Sequence, residues 1–473
     1  MVGFHLGAAR RRRLPGQASG LAAATGLLLV AACTSAHPAS DAGSTASAAP
    51  SGTPAAGASS AASPSGGSAV DCDSLATCYT PQQLQVAYGI KPLLDRGIDG
   101  QRETIVLPEL AESRVNPPWV TDMRQDMAAF DSLYHLPAAR MRVDSTLAGA
   151  RSPWLAFGEE VLDVEMVHAL APGATLVILL LPTNSLDDTM NTVSAAVDAL
   201  RRGSTEGGVL SISAASQIGG EHCVTRAQAD SVNAALQTAA SRHVTVVAAS
   251  GDIGAVAEPC DVYAALAGTG TFTPVKEVNL LASDPLVLGA GGTSLTASHT
   301  TGAWQAETAF GLADGTAGSP FQGSGGGFSR LFSRPGYQDG ITGIGATRGV
   351  PDVSADASGH VNLGIVFRNG SRSMISNAGG TSASAPIWAA LIALADQYAG
   401  RHLGFVNPVL YQIARGPSYH RAFHDITTGS NTVEFPPTTI TGYRAAPGWD
   451  PVTGWGSPDA QVLVPLLARD ADR

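Results

Sequence analysis

Residues 379–395 read Gly-Gly-Thr-Ser-Ala-Ser-Ala-Pro-Ile-Trp-Ala-Ala-Leu-Ile-Ala-Leu-Ala, a glycine pair and hydroxyl side chains followed by an apolar run. The glycines allow a tight turn, and Thr381 or Ser382 can then cap a helix that is apolar on every face and is therefore predicted to be buried. A hydroxyl there lies at the positive end of the helix dipole, which suits a nucleophile facing developing negative charge. A capped core helix without chemistry fits equally well, so partner residues elsewhere must distinguish the two.

Composition and charge indicate a large acidic protein. Of the 473 residues, 44% are hydrophobic and 14% are charged, and the formal net charge is −11. Such a chain can bury a sizeable core, and its negative charge argues against nucleic-acid binding and suits acidic surroundings.

The N-terminus is typical of a targeting segment. Arg10 to Arg13 form a basic region, and residues 18–32 are an apolar stretch too short to span a bilayer comfortably. It ends in Val-Ala-Ala before Cys33, which resembles a bacterial lipobox. We therefore expect a signal peptide over residues 1–33 and a cell-surface protein held to the membrane by a lipid on Cys33. An ordinary signal peptide with an incidental cysteine is the alternative.

The other four cysteines suit disulfides in an exported protein. They are Cys72, Cys78, Cys223 and Cys260. Local spacing favours Cys72–Cys78 and Cys223–Cys260, although four cysteines allow three connectivities. The absence of a CxxC spacing argues against a zinc or redox motif.

Residues 34–70 are nearly all Ser, Ala, Gly, Thr and Pro, with one charge, Asp41. This composition cannot bury a core, so we predict a disordered tether with a reach of roughly 35 Å if it behaves as a Gly/Ser coil. Residues 71–473 are predicted to form one domain, and we expect a monomer.

Apolar runs alternate with helical patterns in this domain. Strands are predicted at 104–110, 140–143, 174–181, 209–213 and 244–249, and helices at 122–134, 159–170, 186–201 and 226–241. This alternation predicts an α/β fold with three layers, in which helices flank a mainly parallel central sheet. Ligands then gather at the carboxyl ends of the strands.

Acidic residues occur where such a site would form. Glu159 and Asp163 are four residues apart, which places both carboxylates on one face of a helix. This spacing is common on solvated helices, but apolar neighbours surround the pair here. Asp252, in Ser-Gly-Asp, directly follows a predicted strand, where an ordinary turn is the alternative. Glycine-dense runs at 289–293, 323–329 and 379–381 lack the lysine of a phosphate loop and favour close approach of the backbone to an extended substrate.

Together these segments resemble the sedolisins, serine-carboxyl peptidases with a subtilisin-like fold. The resemblance spans nearly all of residues 72–467. It runs through Tyr79-Thr80-Pro81-Gln82-Gln83-Leu84, the 158–163 acids, Ser250-Gly251-Asp252, Gly291-Gly292-Thr293-Ser294, residues 324–329, residues 348–354, the Gly-Thr-Ser-x-x-x-Pro segment, Gly448-Trp449-Asp450-Pro451 and residues 453–456.

The resemblance implies a role for each matched position. Ser382 would be the nucleophile, Glu159 its general base, Asp163 the acid that orients Glu159, and Asp252 the acid of the oxyanion hole. Glu109 matches an outer member of the carboxylate network. A carboxylate still acts as a base where imidazole is protonated, and Asp252 donates a hydrogen bond only while neutral, so an acidic working pH is expected. None of the 11 histidines is followed by Gly, which argues against an ordinary subtilisin triad.

The resemblance also implies one structural Ca²⁺ site in segment 425–456. Asp425 and Asp450 would supply carboxylates, and Ile426, Ala446 and Gly448 would supply backbone oxygens. An all-oxygen set suits this hard cation. Two loop aspartates without a metal are the alternative.

Two departures from the family pattern bear on specificity. Sedolisins carry a large folded propeptide, whereas only the low-complexity tether precedes Cys72 here. They also have Ser-Trp-Gly after the substrate-edge strand, where this chain reads Ser213-Ala214-Ala215. Loss of the indole is expected to leave the Glu109–Glu159 network unshielded and to alter a subsite.

The leading hypothesis is a secreted, membrane-tethered endopeptidase acting on polypeptides at acidic pH. One alternative is a non-catalytic lipoprotein that binds peptides in the same groove, but a binding module needs none of the four site residues. The other is an exopeptidase that releases short peptides from N-termini, which would require a closed cleft end.

Overall fold

The computed structural model describes residues 78–110, 121–148, 155–156, 159–181, 186–202, 207–213, 219–260, 273–311, 321–358, 362–369, 372–377, 379–435 and 437–471. Several predictions concern residues outside the described ranges: the signal peptide, Cys33, the tether, Cys72 and residues 214–215. Among the described helices, none combines the length and hydropathy that crossing a bilayer requires.

The helices and strands are short and alternate over much of the chain. The strands are β1 Cys78–Tyr79, β2 Thr104–Leu110, β3 Thr121–Asp122, β4 Arg140–Asp144, β5 Leu155–Ala156, β6 Thr175–Leu181, β7 Gly208–Ile212, β8 Val244–Ala249, β9 Leu288–Ala297, β10 Trp304–Ala309, β11 Gly327–Ser333, β12 Thr347–Val350, β13 Val353–Asp356, β14 Asn362–Asn369, β15 Arg372–Asn377, β16 Phe423–His424, β17 Val433–Phe435, β18 Thr438–Ile440 and β19 Ser457–Pro458. The helices are α1 Pro81–Ala87, α2 Lys91–Leu94, α3 Met123–Tyr134, α4 Glu159–Leu170, α5 Leu186–Arg202, α6 Arg226–Ser241, α7 Leu280–Ser283, α8 Thr381–Ala399, α9 Asn407–Ala414, α10 Tyr419–Ala422 and α11 Ala460–Asp470.

Eight strands form the central sheet. Their order is β10-β9-β8-β7-β2-β6-β4, and β13 pairs with β9 beside this path. All neighbours are parallel except β10, which runs antiparallel to β9 at the edge. The prediction of a mainly parallel sheet is confirmed.

Helices cover both faces of the sheet, because alternate residues of one strand enter different cores. In β6, Leu176, Ile178 and Leu180 pack in a core with residues of α4 and α8. The intervening Val177, Leu179 and Leu181 pack in a second core with residues of α5 and α6. This is the burial expected of a parallel sheet between two helical layers, so the three-layer prediction is also confirmed.

Polar residues collect at the carboxyl edge of three adjacent strands. Glu109 lies near the end of β2, Ser213 directly follows β7, and Ser250 directly follows β8. Because these strands are parallel neighbours, their ends meet at one edge of the sheet, where ligands bind in open α/β folds. The candidate site lies at this edge.

Candidate active site

Helix α8 begins at Thr381, with Ser382 as its second residue and Gly380 at the N-cap. The prediction that Thr381 or Ser382 caps the helix is wrong, because the N-cap has no side-chain hydrogen bond. The Thr381 hydroxyl instead accepts from Gly251 N at 3.0 Å and donates to Asp252 Oδ1 at 2.8 Å. The capping group is therefore used to join the helix to the loop after β8.

Pro386 explains how Ser382 is held by the sheet edge. Proline has no N–H, so the carbonyl of Ser382, four residues earlier, lacks its usual helical donor. Ser213 Oγ donates to that carbonyl at 3.1 Å, and Ser382 Oγ lies 3.4 Å from Ser213 O. The end of β7 thus fixes the backbone of the predicted nucleophile.

Glu159 and Asp163 lie together beside Ser382. Glu159, the first residue of α4, is hydrogen-bonded to the Ser382 side chain. Asp163, one turn later, is 1% exposed and hydrogen-bonds with the side chains of Ser213 and Glu109. Because Asp163 and Glu109 are buried, the prediction of an unshielded network is wrong for these two carboxyls.

Asp252 reaches the same place from the loop after β8. Its Oδ1 accepts from Thr381 N at 2.6 Å and from the Thr381 hydroxyl. Both bonds end on one oxygen, which leaves Oδ2 as the oxygen that can carry a proton. Gly380 adopts φ +99°, and a Cβ built on it would lie 2.4 Å from Oδ2. Glycine therefore provides the space that the acid occupies.

Burial raises the pKa of every carboxyl in this group. Desolvation raises the pKa of Glu159 to about 8, opposed by the Ser382 hydrogen bond and reinforced by the charges of Asp252 and Glu160. Desolvation also raises the pKa values of Asp163, Glu109 and Asp252. Since neighbouring carboxylates repel, the group cannot ionise fully near neutral pH, and it stores protons next to the serine.

Three contributing residues were not among the predicted site residues. Ser213 and Thr381 position Ser382 and Asp252, and Glu258 Oε1 accepts from Asp252 N at 3.1 Å. Pro386 was the sequence signal that could have pointed to Ser213, because a proline there leaves the Ser382 carbonyl in need of another donor. Glu258 had no comparable signal.

The glycine runs pack against the chain itself. A Cβ on Gly325 would lie 2.2 Å from Ser250 O, and one on Gly326 would lie 2.3 Å from Pro451 O. At these two positions, the protein's own backbone accounts for the glycine, which corrects the expectation that a substrate does.

The predicted calcium ligands lie in one loop region. Asp425 accepts from Gly448 N through both carboxylate oxygens, and Asp450 Oδ2 accepts from Ala446 N at 3.2 Å. Among the described residues, no backbone hydrogen bond ends on the carbonyl oxygens of Ile426, Ala446 or Gly448. Asp425 and Asp450 are thus each bonded to N–H groups of segment 446–448, and carboxylate and carbonyl oxygens are the donors that Ca²⁺ prefers.

The Cys223–Cys260 disulfide is present, with an S–S distance of 2.05 Å. Cys78 is also disulfide-bonded, but Cys72 lies outside the described residues, so that pairing stays a prediction. His222 Nε2 lies near both sulfurs of Cys223–Cys260. Oxidised sulfurs are not thiolate ligands, so this group does not form a metal site.

The comparisons with known proteins find peptidases. The chain is 34% identical over 410 residues to kumamolisin from Bacillus sp. (strain MN-32), which covers 84% of this chain and 65% of kumamolisin. It is 31% identical over 267 residues to tripeptidyl-peptidase 1 from Homo sapiens, which covers 52% of this chain and 41% of that protein. The chain thus spans less than two thirds of either relative. No protein-family model matches the chain.

A solved structure supports the fold. The chain is similar to Pseudomonas sedolisin, a serine-carboxyl proteinase complexed with two molecules of pseudo-iodotyrostatin, with a TM-score of 0.62 and 22% identity. The match covers 84% of this chain and 99% of that one.

Proposed function

We propose that the chain is a serine peptidase of the sedolisin family whose general base is a carboxylate, and its 34% identity to kumamolisin supports the family. The observation that carries the proposal is the hydrogen bond between Ser382 and Glu159. It is made beside Asp252, whose Oδ1 is held by Thr381 while Oδ2 remains able to donate. A nucleophile, a base and an oxyanion donor are therefore within reach of one carbonyl group.

In the first half of the reaction, Glu159 takes the proton of Ser382 as Oγ bonds to the carbonyl carbon of the substrate. The carbonyl oxygen becomes negative and accepts a hydrogen bond from protonated Asp252 Oδ2. Collapse of the tetrahedral intermediate breaks the C–N bond, and the leaving amine takes the proton from Glu159. The product is an ester on Ser382 and a free amine.

In the second half, water attacks the ester and gives a proton to Glu159. Asp252 again stabilises the oxyanion, the C–Oγ bond breaks, and Glu159 returns the proton to Ser382. Asp163 is hydrogen-bonded to Ser213 and Glu109 and lies one turn from Glu159, on which it acts through its charge.

The protonation states required by this reaction favour acidic pH. Glu159 must be ionised while Asp252 is neutral in the reacting form, although desolvation raises the pKa of Glu159 to about 8 in the free protein. The reacting form is therefore the one in which the pair's negative charge lies on Glu159. The pair therefore carries a single negative charge over a range of pH, and its two apparent pKa values belong to the pair. The expected rate profile is bell-shaped, with activity lost at higher pH once both acids are ionised.

The experiment is cleavage of a peptide library across pH. We expect acidic cleavage that is reduced at least about 10³-fold in Ser382→Ala and Glu159→Gln. Ser384→Ala is the matched control, because Ser384 Oγ is buried in the same helix without a hydrogen-bond partner. Full activity at alkaline pH with none in acid, or cleavage retained by Ser382→Ala, would contradict the proposal.

We propose that cleavage is endoproteolytic. The match to tripeptidyl-peptidase 1, whose name denotes release of tripeptides, covers only 52% of this chain, which weakens the exopeptidase alternative. The same library experiment distinguishes the modes, because an exopeptidase would release only N-terminal tripeptides and would require a free N-terminal amine.

We also propose that one Ca²⁺ is held by Asp425, Asp450 and the carbonyls of Ile426, Ala446 and Gly448. The ion would neutralise two carboxylates and fix this loop region. Chelation should lower the unfolding temperature of the wild type and have little effect on Asp450→Asn. An unfolding temperature that chelation leaves unchanged in the wild type would contradict the proposed Ca²⁺ site.

The anchoring proposal rests on the sequence at Cys33 and on the oxidised Cys223–Cys260 pair, which suits an extracytoplasmic protein. We expect Cys33→Ser to move the protein from the membrane fraction to the soluble fraction, and unchanged fractionation would contradict lipidation.

A further inference from the structure

A second group of ionisable side chains lies at the far end of helix α8. Asp396 is in the last turns of the helix, His402 is in the loop beyond Ala399, and Glu103 directly precedes β2. Asp396 is fourteen positions after Ser382, so about 21 Å of helix separates this cluster from the candidate active site.

The three side chains converge on one point. His402 Nδ1 lies 3.2 Å from Glu103 Oε2 and 3.4 Å from Asp396 Oδ2. The three donor atoms all lie within 4.8 Å of one another. In a tetrahedral site with metal–ligand bonds of ~2.1 Å, neighbouring donors are ~3.4 Å apart. The imidazole thus already lies at metal-site distances from both carboxylates.

Hydrogen bonding within the protein does not satisfy this cluster. Asp396 Oδ1 accepts from Leu403 N at 2.9 Å, which fixes the carboxylate, and Oδ2 faces His402. Glu103 is 8% exposed, and its buried Oε2 has no partner among the described residues apart from His402 Nδ1 at 3.2 Å. Nδ1 carries at most one proton and can serve only one carboxylate, whereas a metal ion can bond to all three groups.

The charges also favour a divalent ion. Two carboxylates with a protonated imidazole leave a net charge of −1 in a largely buried place. A divalent cation with a neutral imidazole brings the same group to zero, which lowers the cost of burying it. The side chain of His402 is 22% exposed, so an ion has a route from solvent.

We propose that Glu103, Asp396 and His402 bind a divalent transition-metal ion, with Zn²⁺ as the best match to one imidazole and two carboxylates. Three protein ligands leave a position for water on the exposed side of His402. Ca²⁺ fits less well, because it requires six or more oxygen ligands. The ion joins the start of β2 to the end of α8, and its distance from Ser382 makes it a structural site.

The test uses the full chain and Zn²⁺ alone as the probe, with Ca²⁺ supplied throughout. Isothermal titration calorimetry near neutral pH should show one saturable Zn²⁺ per chain. Glu103→Gln and His402→Gln should each weaken binding at least about tenfold. His420→Gln is the matched control, since His420 is an exposed histidine outside the cluster, and it should bind as the wild type does.

Stability provides a second readout. At about 100-fold excess over Kd, Zn²⁺ should raise the unfolding temperature of the wild type and of His420→Gln by about 3 °C, and that of His402→Gln not at all. Absence of saturable binding, or wild-type binding by both cluster variants, would overturn the proposal. If a variant does not fold, X-ray absorption of zinc-loaded wild type decides: one imidazole among oxygen ligands supports the site, and sulfur or several imidazoles refute it.

Discussion

Asp252 shows how much of this site depends on single atoms. Its two carboxylate oxygens have different environments, because Thr381 donates twice to Oδ1 while Gly380 leaves space at Oδ2. The sequence could place Asp252 at a strand end, but it could not assign the Thr381 hydroxyl to this carboxylate. That contact joins residues 129 positions apart, and the local capping rule favoured a different bond.

Gly380→Ala tests this atomic arrangement. The added Cβ would lie 2.4 Å from Asp252 Oδ2 at a φ of +99°, so the acid must move. We expect kcat/KM to fall at least about tenfold and stability to fall by about 1–3 kcal/mol.

Gly400→Ala is the control for backbone strain in the same helix. Gly400 has φ +68°, and nothing lies within 4 Å of a Cβ built there. It should lose comparable stability by urea unfolding while keeping wild-type kcat/KM. Equal loss of activity in the two variants would show that Gly380 matters only through strain.

At the scale of elements, the sequence predicted the burial of helix α8 but not the hydrogen bonds that hold its first turn. Its apolar run predicted a buried helix, and residues 381–396 are buried. Most other boundaries were within one residue of prediction, and 104–110, 159–170, 226–241 and 244–249 matched their elements completely. Hydrophobic periodicity determines these bounds locally, whereas the Ser213 bond to Ser382 depends on how two elements pack.

The Pro386–Ser213 relationship gives a prediction at this scale. Ser213→Ala leaves the Ser382 carbonyl without a donor, because Pro386 cannot supply one, and should cost about 1–3 kcal/mol of stability. Adding Pro386→Ala restores a helical N–H and should recover part of that loss. The measurement is a double-mutant cycle of unfolding free energies, and strictly additive effects would exclude the coupling.

At the scale of the whole molecule, buried carboxyls should make the protein an acid-stable one. Desolvation raises the pKa of Glu159 to about 8 and that of Glu258 to about 7. A carboxyl whose pKa is higher in the folded state binds more protons there than in the unfolded chain. Its stabilisation is complete below the unfolded pKa and is lost as pH rises through the folded pKa.

We therefore expect the free energy of unfolding to fall between about pH 4.5 and pH 7, by on the order of 1–3 kcal/mol for the Glu258 contribution. Glu258→Gln, which cannot ionise, should flatten that part of the curve. Urea unfolding at several pH values measures it. Stability that rises across this interval in the wild type would contradict the assigned direction of the pKa shifts.

The two proposed sites differ in how readily the sequence reveals them. Ser382, Glu159, Asp163 and Asp252 belong to recognisable segments, and the fold brings all four to one edge of the sheet. Glu103, Asp396 and His402 belong to no motif, because they meet only through the return of the loop after α8 to the start of β2. Sequence patterns identify chemistry that is locally encoded, and chain packing determines the remainder.

The central claim is that Glu159 removes the proton of Ser382, and the rate of acyl-enzyme formation tests it most directly. Rapid-quench experiments at acidic pH, with mass spectrometry of the trapped adduct, should locate the acyl group on Ser382. They should show acylation slowed at least about 10³-fold in Glu159→Gln and unchanged in Ser384→Ala. An acyl group on another residue, or acylation at the wild-type rate in Glu159→Gln, would contradict the account.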